Sequence, residues 1–206
     1  MKPFYRFCWL LVRVFMIAFC RLKIIGIENV PETGPFILAS NHVSAVDPPF
    51  IGSSINRQLF FMAKKELFKN FILAPVIKRL NTLPVNRGIF DRNALQMATE
   101  ILKSGGGLIM FPEGTRSRTG ELGKGKPGIG MLARTAVVPI VPAYIHNSKD
   151  FYKILLTGRR LIIAFGEPIG AGRIRSVIDG KEGYREISAE VMERVRKLRA
   201  QISEKP

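Results

Sequence analysis

Short apolar runs alternate with stretches whose apolar residues recur every three and four positions, and this alternation continues along most of the chain. Residues 23–27, 36–40, 59–62, 83–86, 108–111, 137–144 and 160–165 read as strands. Between them, residues 66–79, 91–103 and 126–135 read as helices. Pro75 predicts a kink or break in the first, and Ser104-Gly105-Gly106 stops the second. In the last segment, 184–203, Ile187, Val191, Val195, Leu198 and Ile202 form one apolar stripe, which predicts an amphipathic helix packed on a sheet. With no internal repeat and no long linker, the pattern predicts a single α/β domain over 23–206 behind a separate N-terminal helix over 1–22.

That N-terminal stretch is apolar from Phe4 to Cys20 except for Arg6 and Arg13, and it carries Trp9 and four phenylalanines. It falls short of the roughly 20 uninterrupted apolar residues that a simple membrane span needs. Arg13 breaks the core that a signal peptide would need, and no small-residue cleavage site follows. Lys2, Arg6 and Arg13 are spaced by four and seven, so a helix puts them on one face. From there their stems reach headgroups while the rings face acyl chains. The expectation is a helix lying in or dipping into one leaflet; a true span and a core helix are the alternatives.

Charge points the same way. The 206 residues carry a formal net charge of +16 with pI ≈ 10.4, which implies an anionic partner. The cations are spread along the chain, with no polybasic tail and no RNA- or zinc-binding motif, so nucleic acid is the weaker of the anionic partners. Cys8 and Cys20 have no metal spacing and read as packed, reduced thiols on a cytosolic side.

Chemistry concentrates in a few strings. Asn41-His42-Val43-Ser44-Ala45-Val46-Asp47 places an imidazole and a carboxylate five positions apart, just after a predicted strand. A carboxylate that accepts from one ring nitrogen fixes the tautomer and makes the other nitrogen a better base. Ser44 and Asp47 can form a capping box with Asp47 in the first turn, or Asp47 can cap a helix that begins at Pro48. A capped helix beside an incidental histidine is the bland alternative. Ser44 as a hydrolase nucleophile is disfavoured, because it lies two residues from His42 and no G-x-S-x-G is present. Phe111-Pro112-Glu113-Gly114-Thr115-Arg116-Ser117-Arg118 gathers turn amides, hydroxyls and two guanidiniums into an anion site, unless it is only a solvated basic hairpin. Glu113 would orient Arg116 or accept from a substrate hydroxyl. Leu83-Pro84-Val85-Asn86-Arg87 delivers Arg87 from a strand end. Val138-Pro139-Ile140-Val141-Pro142-Ala143 reads as an edge or irregular strand with packing duties. His146 reads as a loop residue, and no set of metal ligands is recognisable.

These four stretches, in this order, resemble the blocks of the glycerolipid acyltransferase family, specifically its bacterial 1-acyl-sn-glycerol-3-phosphate acyltransferases. NHVSAVD fits the NHxxxxD block, NTLPVNR the arginine-bearing second block, FPEGTRSR the third and VPIVPA the fourth. Asn81 stands where the second block often has glycine, and the Lys/Gly-rich segment 122–128 lacks the usual phenylalanine. The resemblance implies a glycerol-3-phosphate acyltransferase-like fold, with a mixed, largely parallel sheet flanked by helices. It implies O-acyl transfer from an acyl-CoA or acyl carrier protein thioester to a lysolipid phosphate, with no cofactor, at the cytoplasmic face of the cell membrane. Another acceptor, such as glycerol 3-phosphate or a different lysolipid, is the alternative, and a basic membrane-binding protein without activity is the remoter one. It also implies roles: His42 as base with Asp47 behind it; Arg87 and Arg116 on the phosphate; Glu113, Gly114 and Thr115 shaping that site; Asn41 or backbone amides on the oxyanion. The partners implied are lysophosphatidic acid, anionic phospholipid and the acyl donor.

Overall fold

Five successive buried residues, Phe36–Ser40, form the middle strand of a seven-stranded sheet, and a strand buried on both faces has no polar positions to alternate with. The computed structural model describes residues 1–86, 88 and 90–203. In chain order its elements are α1 (Pro3–Cys20), β1 (Lys23–Ile25), β2 (Phe36–Ser40), α2 (Asp47–Ser54), β3 (Leu59–Lys64), α3 (Leu73–Arg79), β4 (Thr82–Val85), α4 (Arg92–Lys103), β5 (Gly107–Met110), α5 (Gly128–Ala136), β6 (Ile140–His146), α6 (Ile154–Thr157), β7 (Ile162–Phe165), α7 (Ala171–Ser176) and α8 (Lys181–Ser203). The sheet order is β1-β7-β6-β2-β5-β3-β4. Every neighbouring pair is parallel except β6 with β7, so the sheet is mixed and largely parallel, as expected.

Alternation along the strands sorts the core into two layers. Ile37, Ala39 and Leu108 face α4, α5 and α8, where the stripe Ile187, Val191, Val195, Leu198 and Ile202 is buried. Phe36, Leu38 and Ile109 face the other way, against Phe50 and Ile51 of α2 and Met16 and Cys20 of α1. Helix α1 is fastened to the domain towards both ends. The Tyr5 hydroxyl accepts from Leu59 N–H (3.1 Å), Trp9 Nε1 donates to Ile55 O (2.8 Å), and Leu161 N–H donates to Cys20 O (2.9 Å). Its opposite side, with Phe7, Leu10, Leu11 and Val14, is exposed.

The local chemistry departs from the sequence reading at four places. Arg13 does not join Lys2 and Arg6 as a headgroup cation. Its Nη1 donates to Ser53 O (3.1 Å) and Ser54 O (3.3 Å) while its guanidinium stacks on Trp9, because the unpaired carbonyls ending α2 attract a cation. The break in 66–79 falls at Asn70, whose Oδ1 accepts from Ile72 and Leu73 N–H, and Pro75 sits harmlessly in the first turn of α3. The proline strand β6 is interior, between β2 and β7; Pro142 lies where the β6–β7 ladder stops, its O still accepting from Gly166 N–H (2.8 Å), so only the reciprocal donor is missing. Asn81 has φ 57°, a left-handed conformation that asparagine tolerates nearly as glycine does, so the departure from the glycine pattern preserves the turn.

Candidate active site

The register of two parallel strands assembles the site. Ala39 of β2 pairs with Met110 of β5, so three residues further on His42 and Glu113 leave the same edge of the sheet as neighbours. Open parallel sheets place their binding crevices at this carboxyl edge. The FPEGTRSR turn is stapled to the histidine's own peptide from both sides. Glu113 Oε1 accepts from His42 N–H at 3.4 Å, and Ser117 N–H donates to His42 O at 2.7 Å. The His42 ring stacks on Phe111 with centroids 4.0 Å apart.

Asp47 opens α2 and turns back across the loop. Its Oδ2 accepts from Val43 N–H (2.7 Å), Ser44 N–H (2.8 Å) and His42 Nδ1 (2.8 Å). The N-cap of α2 is Val46, with no side-chain cap, so the bond to Ser44 N–H has the spacing of a capping box without forming one. The serine hydroxyl instead accepts a long 3.5 Å contact from Val46 N–H. Pro48 and Pro49 cause no conflict, since first-turn N–H groups have no partner within the helix. Because Oδ2 already accepts from two amides, it is an acceptor towards the ring as well, so the tautomer carries its proton on Nδ1. Asp47 is fully buried, and its Oδ1 has no hydrogen-bond partner among the described residues. Nε2 of His42 makes no hydrogen bond among the described residues, and the histidine lines a cleft of about 200 Å³. Met62, Val85, Met110 and Ile129 make that cleft apolar, while Asn86, Gly114 and Lys126 supply its polar atoms.

An imidazole held by a buried carboxylate beside an apolar cleft has the chemistry to take a proton from a substrate with a hydrocarbon portion. Comparison with known proteins identifies the chemistry. Residues 21–146 match the model of the acyltransferase family. The chain belongs to the acyltransferase family. Relatives of this acyltransferase include the 1-acyl-sn-glycerol-3-phosphate acyltransferase of Bacillus subtilis, 30% identical over 80% of this chain and 82% of that protein. The enzyme of the same name from Streptococcus pneumoniae is 30% identical over 79% of this chain and 60% of that one. In a chloroplastic relative from Brassica napus the match spans only 45% of that protein. A crystal structure of the 1-acyl-sn-glycerophosphate acyltransferase from Thermotoga maritima superposes with a TM-score of 0.72 at 29% identity, over 97% of this chain and 79% of that one.

The acyltransferase distributes the remaining sequence candidates unevenly. Gly114 lines the cleft at φ 73°, whereas Thr115 and Arg116 are exposed on the turn beyond it. Glu113 accepts from His42 N–H and from Gly123 N–H (3.0 Å), so its carboxylate braces two backbone segments and does not pair with Arg116. Asn41 turns its amide to β6: its Oδ1 accepts from Ile145 N–H (2.8 Å) and its Nδ2 donates to Ile145 O (3.1 Å). Arg87 lies outside the described residues. His146 ends β6 rather than sitting in a loop, in a separate cavity with Lys153 and Arg199. Burial lowers its pKa, and the charges of Arg159 and Arg199 lower it further.

Lys126 is the residue that sequence reasoning passed over. Its Nζ lies 3.0 Å from where a β-carbon on Gly114 would stand, so the glycine clears the lysine's path across the turn and into the cleft wall. Its own N–H donates to Pro112 O at 2.8 Å, which fastens the Lys/Gly-rich segment to the third block. The lysine in that segment was the available signal.

Proposed function

We propose that this acyltransferase moves a fatty acyl group from the thioester of acyl-CoA or acyl carrier protein to the sn-2 hydroxyl of 1-acyl-glycerol 3-phosphate, giving phosphatidic acid. The observation that carries this reading is the buried His42–Asp47 pair stapled to a cationic turn beside an apolar cleft. His42 Nε2 takes the hydroxyl proton as the oxygen attacks the thioester carbonyl. Asp47 holds Nδ1–H and steadies the imidazolium. Collapse of the tetrahedral adduct breaks the carbon–sulfur bond, and the proton passes from His42 to the departing thiolate. Arg116, Arg87 and Lys126 are the cations for the acceptor phosphate. The reading of location is monotopic, with α1 along the cytoplasmic leaflet. It is supported by a helix fastened to the domain towards both ends, whose outer side of Phe7, Leu10, Leu11 and Val14 has no protein cover.

The direct test supplies purified enzyme with 1-acyl-glycerol 3-phosphate, glycerol 3-phosphate and neutral lysolipids, each with both donor types. Turnover concentrated on 1-acyl-glycerol 3-phosphate is the expected result; preference for another acceptor defeats the assignment. For Lys126→Ala, the acceptor KM is expected to rise about tenfold with kcat little changed, as for loss of one charged hydrogen bond in ground and transition state alike. Lys126→Arg keeps the charge and most of the affinity. A KM unaltered in the alanine variant removes the lysine from the phosphate site.

A further inference from the structure

A second apolar surface lies outside α1, on the segment that joins β3 to β4. Phe71 is 84% exposed and Ile72 68%, and Leu67, Leu73 and Val76 beside them are exposed as well. Water-facing side chains of this size, gathered on one short segment, imply something that covers them. The tip is a built shape, because Asn70 Oδ1 accepts from Ile72 N–H (3.0 Å) and Leu73 N–H (2.9 Å) and presents Phe71 and Ile72 outward. Lys65, Lys69, Lys78 and Arg79 are exposed around it, against Glu66, which pairs with Lys64.

We propose that residues 67–76 are a second membrane-inserting element, a wedge that enters the same anionic leaflet as α1. This rests on the reading that the enzyme works at a bilayer. Two observations select a lipid surface as the occupant. The apolar tip ringed by cations is the charge pattern that matches an anionic headgroup layer over acyl chains. The segment is also continuous with α1: the Arg79 guanidinium lies over the Phe4 ring at 5.6 Å, and Leu80 shares a small apolar gap with Tyr5 and Trp9. The placement has a consequence for catalysis. The wedge hangs between β3 and β4, and Met62 of β3 and Val85 of β4 line the His42 cleft. Two insertion points fix the protein's rotation about α1, which one helix alone leaves free. With both engaged, the cleft's wall sits next to the leaflet that holds the acceptor.

The test uses the full chain and vesicles of phosphatidylethanolamine with phosphatidylglycerol. Trp9 is the chain's one tryptophan, so Phe71→Trp in a Trp9→Phe background gives a single reporter. Lipids brominated on their acyl chains are expected to quench it. Phe71→Asp/Ile72→Asp is expected to weaken vesicle binding roughly a hundredfold, as for two large apolar side chains withheld from hydrocarbon. Its thermal midpoint should stay at the wild-type value, since both residues face water. Leu10→Glu/Val14→Glu probes α1 separately. If wild type sediments with vesicles while the reporter stays unquenched, the wedge is wrong and the α1 reading survives. If wild type does not sediment at all, the membrane reading fails and the wedge with it. If the chain is dimeric without lipid and Phe71→Asp/Ile72→Asp makes it monomeric, a second copy covers the patch and the proposal is overturned.

Discussion

His42→Ala is expected to lower kcat by about 10²–10⁴-fold, the usual worth of a positioned general base. The protein should stay folded, because the ring stacks on Phe111 (4.0 Å) at the sheet's carboxyl edge and Asp47 keeps its bonds to Val43 and Ser44 N–H. Asp47→Asn tests the other half of the pair in a more discriminating way. The Oδ2 site must accept from three donors, so the asparagine carbonyl is forced there and its NH2 falls on the Oδ1 site. That site is buried and offers no partner among the described residues, so the amide hydrogens lose their water uncompensated, at about 1–3 kcal/mol. The tautomer survives, but the negative charge that steadies the imidazolium is gone. Asp47→Asn should therefore lower both the thermal midpoint and kcat, whereas His42→Ala should cost chiefly kcat. Steady-state rates and melting curves on the two variants separate these effects. Full activity in both would sink the His–Asp mechanism.

The sequence made the long periodic elements legible because their burial is one-sided or complete. The stripe of α8 and the unbroken run of β2 each have one sensible position in an α/β sheet. It was less informative where one residue chooses between two partners. Arg13 had a lipid role on helical spacing alone, and only the nearness of α2's last carbonyls redirected it. Pro142 argued for an edge or an irregular position, and the fold takes the second: an interior strand whose β7 ladder stops at the proline, with Gly166 N–H bonded to its carbonyl. At the site, the pairing of His42 with Asp47 was readable as residue types, since only the residues 43–46 separate them. How the carboxylate returns was not readable, because Pro48 allowed two turns and the backbone donors of Val43 and Ser44 decided between them. Lys126 was hidden for a different reason. Its relevance depends on the space above Gly114, and a glycine's empty side is visible only once the neighbouring loop is in place.

Glu113 also depends on the third dimension, and it supplies the second large effect. An acid in a basic turn suggested Arg116 or a substrate hydroxyl as its partner. In the fold its two oxygens hold His42 N–H and Gly123 N–H, contacts that span 71 and 10 residues. We therefore propose Glu113 as a positioning residue that acts on His42 through its backbone N–H. Glu113→Ala is expected to lower kcat about tenfold to a hundredfold with little change in acceptor KM, since a small displacement of a reacting group costs rate before it costs binding. The 3.4 Å contact to His42 is long, and Ser117 still holds the His42 carbonyl at 2.7 Å, which keeps the loss below that of removing the imidazole itself. Glu113→Gln retains one acceptor oxygen and should recover part of the rate, because neutral amides still satisfy a backbone donor. A carboxylate that instead met the glycerol or the phosphate-binding arginine would show the opposite division. Its loss would raise KM first, and glutamine would restore binding in proportion to hydrogen bonding rather than rate. Measuring kcat and KM for both variants against 1-acyl-glycerol 3-phosphate distinguishes a brace behind the base from a contact with the substrate.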